Sequence, residues 1–211
     1  RAQVLYYLAE NLQARAADFA ERLRAMTGSR GEAEVEASVR ALFRWAAWAD
    51  KVDGRAAGVP IRGVALAMRE PVGTIGVLCP DEAPLLGLVA TVAPAIALGN
   101  RVVAVASEPF PLAATDFYQV LDTSDMPGGV VNLLTGSHRE LAPTLAAHLD
   151  VDAVWSFSST APAREIEARA AGNLKRTWVE TRARDWARPD DRTFIEAATE
   201  VKTIWIPYGE G

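Results

Sequence analysis

The stretch from Glu70 to Val105 constrains the fold more than any other part of the chain. Val72 to Leu78 is a short apolar run with β-branched residues and two glycines, of strand length. Ala83 to Leu98 follows without a single charge; it is too long for a strand and rich in Ala and Leu, so a helix is predicted. Gly99-Asn100 stops that helix, because both residues tolerate the left-handed backbone of a helix C-terminus. Arg101 to Ala106 reads as a second buried strand. Strand, helix, strand is a βαβ unit, whose crossover sets its two strands parallel.

With Gly99 and Asn100 the uncharged helix reaches the lower edge of membrane-spanning length, roughly 17–25 residues. Pro84, Gly87, Thr91 and Pro94 lie inside it, however, and strands flank it directly. A helix sandwiched between a sheet and another protein surface fits better, and no membrane association is expected.

The later chain repeats the unit. Helix is predicted over Leu112–Leu121, and Pro127-Gly128-Gly129 is a turn. Val130–Leu134 is a third strand ending at Gly136, and His138–Leu149 a helix. Ala153–Phe157 is a fourth strand, Pro162–Ala171 a helix and Arg176–Glu180 a fifth strand. The expected fold is therefore α/β, a doubly wound parallel sheet.

Upstream, Leu5, Leu8, Leu12, Ala16, Phe19, Leu23 and Met26 recur at helical spacing and predict one amphipathic helix broken by Thr27-Gly28-Ser29. A second helix carries Val35, Val39, Leu42, Ala46 and Ala49 on one face and ends at Gly54. Residues 55–71, with alternation in Val64–Met68, read as an extended strand or hairpin outside the main sheet. From Thr181 to Arg192 the pattern collapses into charged residues with a Pro, and Val201–Pro207 is a last isolated strand. The organisation expected is a helical pair (1–54), a flap segment (55–71), a Rossmann-like domain (72–181), a linker (182–198) and a terminal flap strand (199–211).

The 211 residues are half hydrophobic and carry a net charge of −5, so a globular chain without a basic field for nucleic acid is expected. The single cysteine, Cys79, falls in a predicted buried strand, which indicates a reducing compartment and a cytoplasmic location. The chain opens at Arg1 without Met or a signal-peptide pattern, and an excerpt from a longer polypeptide is expected.

A fold of this kind often holds nucleotides beyond the carboxyl ends of its strands, yet the G-x-G-x-x-G fingerprint is missing. Gly73-Thr74-Ile75-Gly76 lies within the first strand and cannot serve as a phosphate loop. His138 and His148 share one helix without other ligands at metal spacing; they read as solvated, and no metal site is expected. Cys79 reads as inert packing. The six tryptophans read mostly as core or interface anchors.

Glu70-Pro71-Val72-Gly73 with Ile75-Gly76 and Pro80, then Pro84-Leu85, Ala93-Pro94-Ala95, Gly99-Asn100 and Val102-Val103, resemble the coenzyme domain of the aldehyde dehydrogenase superfamily in order and spacing. Pro127–Asn132, Thr135-Gly136 and Trp48–Lys51 agree with it, and Thr199–Thr203 looks like the family's last oligomerisation strand. The resemblance implies chemistry by a cysteine thiolate, an Asn oxyanion donor and a glutamate base. It also implies that the thiolate sits in a lobe inserted after the fifth strand. Only about fifteen residues separate Trp178–Ala183 from the terminal strand, too few for a domain.

The other positions that the resemblance marks are altered. Pro-Trp-Asn reads Pro80-Asp81-Glu82, a carboxylate where an oxyanion donor is needed; loss of such a donor costs about 3–4 kcal/mol. The ribose-binding Lys-Pro-Ala-Glu reads Val105-Ala106-Ser107-Glu108, without its lysine. Thr-Gly-Ser-Thr reads Phe157-Ser158-Ser159-Thr160, crowding a place where backbone must approach phosphate. Glu180 stands at the general-base position with nothing to activate, so no catalytic residue is expected. Glu108 and Ser159 are the remaining cofactor candidates, and Glu108 reads more readily as a helix-start or turn carboxylate than as a lone ribose ligand.

The chain looks most like the C-terminal pseudoenzyme module of family 16 aldehyde dehydrogenases, where a complete dehydrogenase precedes a second copy lacking the catalytic lobe. That resemblance implies a segment without NAD in a parent that uses it, packed through Ile61–Met68 and Val201–Tyr208 on an active domain of the same chain or a partner subunit, in a homo-oligomer. The rival is an NAD-binding domain that contributes to aldehyde oxidation in trans; a third reading, a deletion fragment of an ordinary enzyme, is disfavoured because a simple deletion would leave the positions of Glu82, Val105 and Ser158 intact.

Overall fold

The computed structural model describes residues 1–58 and 63–207. In chain order the elements are α1 (Ala2–Ala14), α2 (Ala16–Thr27), α3 (Gly31–Trp48), β1 (Arg55–Ala57), β2 (Gly63–Pro71), β3 (Thr74–Leu78), α4 (Pro84–Ala97) and β4 (Arg101–Val105). They continue with α5 (Leu112–Asp122), β5 (Val131–Leu134), α6 (His138–Ala147), β6 (Ala153–Ser156), α7 (Ala163–Ala170), β7 (Arg176–Val179), α8 (Asp191–Ala198) and β8 (Thr199–Pro207).

Five strands form a parallel sheet in the order β5-β4-β3-β6-β7, the doubly wound arrangement expected from the sequence. Winding runs outward from β3 through β4 to β5, then crosses back to β6 and β7. The switch point therefore lies between β3 and β6. Side chains alternate along each strand. Ile75, Val77, Val102, Ala104, Ala153 and Trp155 enter the core shared with α1, α3, α4 and α5. Leu78, Val105 and Val154 point the other way, to Ala142, Leu145 and Ala146 of α6 and Ile166 of α7. Every residue of α4 is buried, which explains its lack of charge. Among the described residues no helix is long and apolar enough to cross a membrane.

β1, β2 and β8 form a second, antiparallel sheet, with β2 central and β8 paired to it from Pro71–Thr199 to Gly63–Pro207. The strand or hairpin expected over 55–71 is thus present and joined to the terminal strand. Ile61, Arg62 and Tyr208, the outer residues of the two expected flap segments, lie outside the described residues.

The structure corrects four readings. The first helix is two, because Arg15 leaves helical geometry (φ −103°, ψ 15°) and its N–H points at both Asn11 O and Leu12 O. No Gly or Pro marks the break. Separate ties to α5 and the two residues just past it accompany it: Asn11 bonds Thr123 and Ser124, Arg15 bonds Gln119, and Arg22 pairs with Asp116. α3 ends at Trp48, before Gly54. The run Val72–Leu78 is not one strand, since Gly73 at φ +131° turns the chain between the two sheets. The linker 182–198 is not without helix; α8 occupies its second half, fastened to α3 by an Arg44–Asp191 ion pair at 2.9 Å and a Trp48 indole hydrogen bond to Asp191 at 2.9 Å.

Candidate functional site

The carboxyl ends of β3, β4 and β6 bring Asp81, Ser107, Glu108, Ser158 and Thr160 to one end of the sheet, beside the first residue of α6. The backbone dictates this, because parallel strands all end there. Asp81 Oδ1 accepts from Ser107 Oγ at 2.8 Å and from Glu108 N–H at 3.1 Å. Glu108 Oε2 accepts from the His138 N–H at 3.0 Å, capping α6, and from Thr160 Oγ1 at 3.4 Å.

His138 is fully buried, which overturns its reading as a solvated helix histidine. Its Nε2 lies 2.6 Å from Ala106 O, a group that can only accept, so Nε2 carries the proton. In the neutral ring Nδ1 then accepts from Ser158 Oγ, 2.7 Å away. Ser158 Oγ in turn accepts from Thr160 N–H and Ala161 N–H at 3.2 Å each. The network satisfies itself, and it contains two carboxylates and no cation. A pyrophosphate brought here would meet like charge at short range. Ser159 is exposed. The N-terminus of α4, the helix after the first parallel strand, is capped as well: Glu34 of α3 accepts from Leu85 N–H at 2.8 Å and Leu86 N–H at 3.1 Å.

A second cluster closes the β7 side. Trp186 Nε1 donates to Glu82 Oε1 at 2.9 Å, and Arg184 N–H reaches the same oxygen at 3.3 Å. The Arg184 guanidinium pairs with Glu180 at 3.3 Å and with Asp190, and lies 5.3–5.5 Å from the ring centres of Trp178, Trp186 and Phe194. Phe157 meets Trp178 and Trp186 edge-on at 5.0 and 4.9 Å. Burial pushes the Asp190 carboxyl up, but a Thr193 hydrogen bond and the Arg184 charge outweigh it and hold it below the ordinary value. Glu180 also accepts from Trp178 Nε1 at 2.8 Å, so both its partners belong to the closure. An open cleft of about 520 Å³ lies alongside, lined by Val179–Arg184 and Asp190.

Cys79, just past β3, is fully buried, and burial raises its thiol to about 12, assisted by the nearby Asp81 charge against a Thr91 hydrogen bond. A thiol held there supplies no thiolate. His148 is exposed at the far end of α6 and accepts from Asp150 N–H. Among the described residues no three His, Cys, Asp or Glu side chains gather as metal ligands. Sequence reasoning named Glu82, Glu108, Ser158 and Glu180; it missed His138, Arg184, Trp186 and Glu34. A tryptophan stranded among the charges of 181–192 was the one available signal.

A model of the aldehyde dehydrogenase family matches residues 1–187. The chain belongs to the aldehyde dehydrogenase family. This aldehyde dehydrogenase relative is 34% identical over 148 residues to the NADP/NAD-dependent aldehyde dehydrogenase PuuC of Escherichia coli, across 70% of this chain and 30% of that one. It is 32% identical over 173 residues to an aldehyde dehydrogenase of Emericella nidulans, across 82% and 34%. The fold superposes on PnpE from Pseudomonas sp. WBC-3, also solved in complex with nicotinamide adenine dinucleotide, at a TM-score of 0.80 and 28% identity, across 84% of this chain and 37% of that one. An indole-3-acetaldehyde dehydrogenase gives 0.80 and 30%, across 85% and 42%. The chain spans about a third of the length of the curated aldehyde dehydrogenases it matches.

Proposed function

We propose that this chain is a non-catalytic dehydrogenase-like module that packs on, and completes or stabilises, an active NAD-dependent aldehyde dehydrogenase domain, in the manner of the pseudoenzyme half of family 16. One observation carries the reading: Glu82, at the position of the oxyanion donor, is engaged in holding Trp186 and Arg184. A carboxylate there repels a developing oxyanion, and the segment it anchors stands where a reacting lobe would otherwise begin. The buried, protonated Cys79 supports the same conclusion.

Packing is assigned to the second sheet. Met68, Val201, Ile204, Trp205 and Ile206 are exposed there, and among the described residues the outer edge of β8 has no strand beside it. Such an edge is a template for a partner chain, here the active domain of the same polypeptide or of a neighbouring subunit in a homo-oligomer. The single buried thiol accords with a cytoplasmic setting.

A second reading, an NAD-binding module acting in trans, is favoured by the likeness to the NAD complex of PnpE and by the exposed Ser159, next in sequence to the Thr160 that bonds Glu108. Calorimetric titration with NAD separates the two. Silence at millimolar NAD, with loss of dehydrogenase activity or assembly when 199–211 are removed from the parent protein, is expected; low-micromolar binding decides for the second reading.

A further inference from the structure

On the α6 side of the parallel sheet a cleft of about 340 Å³ runs along β4 and β5. The sheet contributes Val103, Val105 and Leu134 to it, and α6 with the loop that follows contributes Leu141, Leu145 and Val151. Leu134 is 43% exposed, so the cleft opens to solvent. Thr144, His148 and Asp150, all exposed, make its polar rim.

Leu149, between the last two, is 77% exposed. Its loop is fastened, because the buried Lys175 donates through Nζ to His148 O and, at 2.8 Å, to Val151 O. Leu174, just before that lysine, is 91% exposed at φ +58°, a backbone that Gly or Asn favours. A single leucine on a surface is ordinary. Two on loops clasped together, beside an apolar cleft, form a patch that the described residues leave uncovered.

The polar rim identifies the occupant. His148 Nδ1 accepts from Asp150 N–H at 3.2 Å, so in the neutral ring Nε2 carries the proton. Among the described residues Asp150 forms no ion pair. A two-fold axis beside Leu149 sets residues 148–150 of two copies antiparallel, which brings His148 of each opposite Asp150 of the other. Donor and acceptor, knob and cleft, are both present on one face, as an isologous contact requires.

We propose that this chain pairs with a second copy of itself at this corner. Leu149 of each copy enters the cleft of the other, and His148 Nε2–H of each donates to Asp150 of the other. An apolar cavity of about 150 Å³ already holds a benzene-sized body, so the cleft has room for a leucine side chain. The contact is small and of the transient class. It is independent of the packing assigned to β8, which belongs to the other sheet.

The test is NMR of the full chain, diffusion and amide shifts together, from about 20 μM to about 1 mM. Diffusion should slow towards that of a dimer, with shifts gathered at residues 134, 141–151 and 174. Leu149→Asp should abolish the effect. His148→Asp and Asp150→Lys should each weaken association about fivefold to tenfold, and the two together should restore it to within about twofold, because the charges are then exchanged rather than lost. All three positions are exposed, so the fold is kept. A monomer throughout the range, a double variant no better than the singles, or shifts at this corner that arise only when a dehydrogenase domain is added would each overturn the proposal. So would association that survives Leu149→Asp and vanishes when the chain ends after Glu200.

Discussion

At Gly73 the backbone adopts φ +131°, a region that side chains with a Cβ avoid, and an added Cβ would stand 2.1 Å from Asp152 Oδ2. That same oxygen accepts the Thr74 N–H at 2.7 Å, so it cannot move away freely. Gly73→Ala is expected to destabilise the fold by about 1–3 kcal/mol, read as a lower urea midpoint at unchanged slope. Adding Asp152→Ala should recover only the part owed to the clash, since the backbone strain stays. Glu34 carries a different prediction. Burial raises its carboxyl above the ordinary value, against the lowering effect of the Leu86 and Leu85 N–H groups. A folded pKa above the unfolded one means the native state holds this proton more tightly. Its contribution is thus complete below the unfolded pKa and is lost as pH rises through the folded one. Glu34→Gln keeps an acceptor oxygen and removes the charge, so the stability of the wild type relative to the variant should improve as pH falls from neutral to about 4.5. A difference independent of pH in urea unfolding would count against it. Residues like these were only partly legible. Resemblance marks Glu108 and Glu180, whereas the burial of His138 depends on Ala106 and Ser158, far away in sequence.

Among the elements, those repeating the strand–helix unit were legible because each carries its own periodicity and its own stop, as Ala83–Leu98 does with Gly99 at φ +95°. The break at Arg15 was not, because only contacts with α5 distinguish that residue from its helical neighbours. α8 was hidden for another reason: its eight residues offer only Phe194, Ile195, Ala197 and Ala198 as apolar positions, and their burial is set by Trp45 and Trp178 packing on Phe194. The segment 181–198 therefore looks in sequence like a scar and in structure like a closure. Trp186 is 6% exposed, edge-on to Phe157, and holds Glu82. If the segment closes the domain, Trp186→Ala should cost about 3–5 kcal/mol, the ordinary price of removing a buried aromatic side chain. A loose scar would lose less than about 0.5 kcal/mol, as an exposed site does. Urea unfolding followed by far-UV circular dichroism distinguishes the two, and Trp186→Phe, which keeps the ring and drops the indole donor, isolates the bond to Glu82.

At the scale of the molecule, hydrogen bonds among the described residues tie the second sheet to the main body at few places: Val72 N–H on Ala198 O at 3.2 Å, Asn100 on Ala198 O at 3.0 Å, and Arg176 on Thr199 O at 2.7 Å. All of these lie at the root of β8. Beyond Glu200 the strand is exposed along its described length, Trp205 to 56%, and among the described residues its bonds run only to β2. Burial against the main body therefore cannot be what maintains the apolar residues Val201, Ile204, Trp205 and Ile206. Ending the chain after Glu200 keeps every tie at the root and removes only that strand. The parallel sheet should unfold within about 0.5 kcal/mol of the intact chain, since surface residues away from packed contacts contribute little. On the proposed packing role, association with a dehydrogenase domain is made through this strand, and light scattering of the co-expressed proteins should show it for the intact chain and not for the truncated one. The alternative, a strand needed for the fold itself, makes the opposite forecast: a large fall in the urea midpoint, with association lost only because the domain is no longer folded. Because the truncation separates stability from assembly, one variant measured both ways decides whether the second sheet exists for this chain or for its partner.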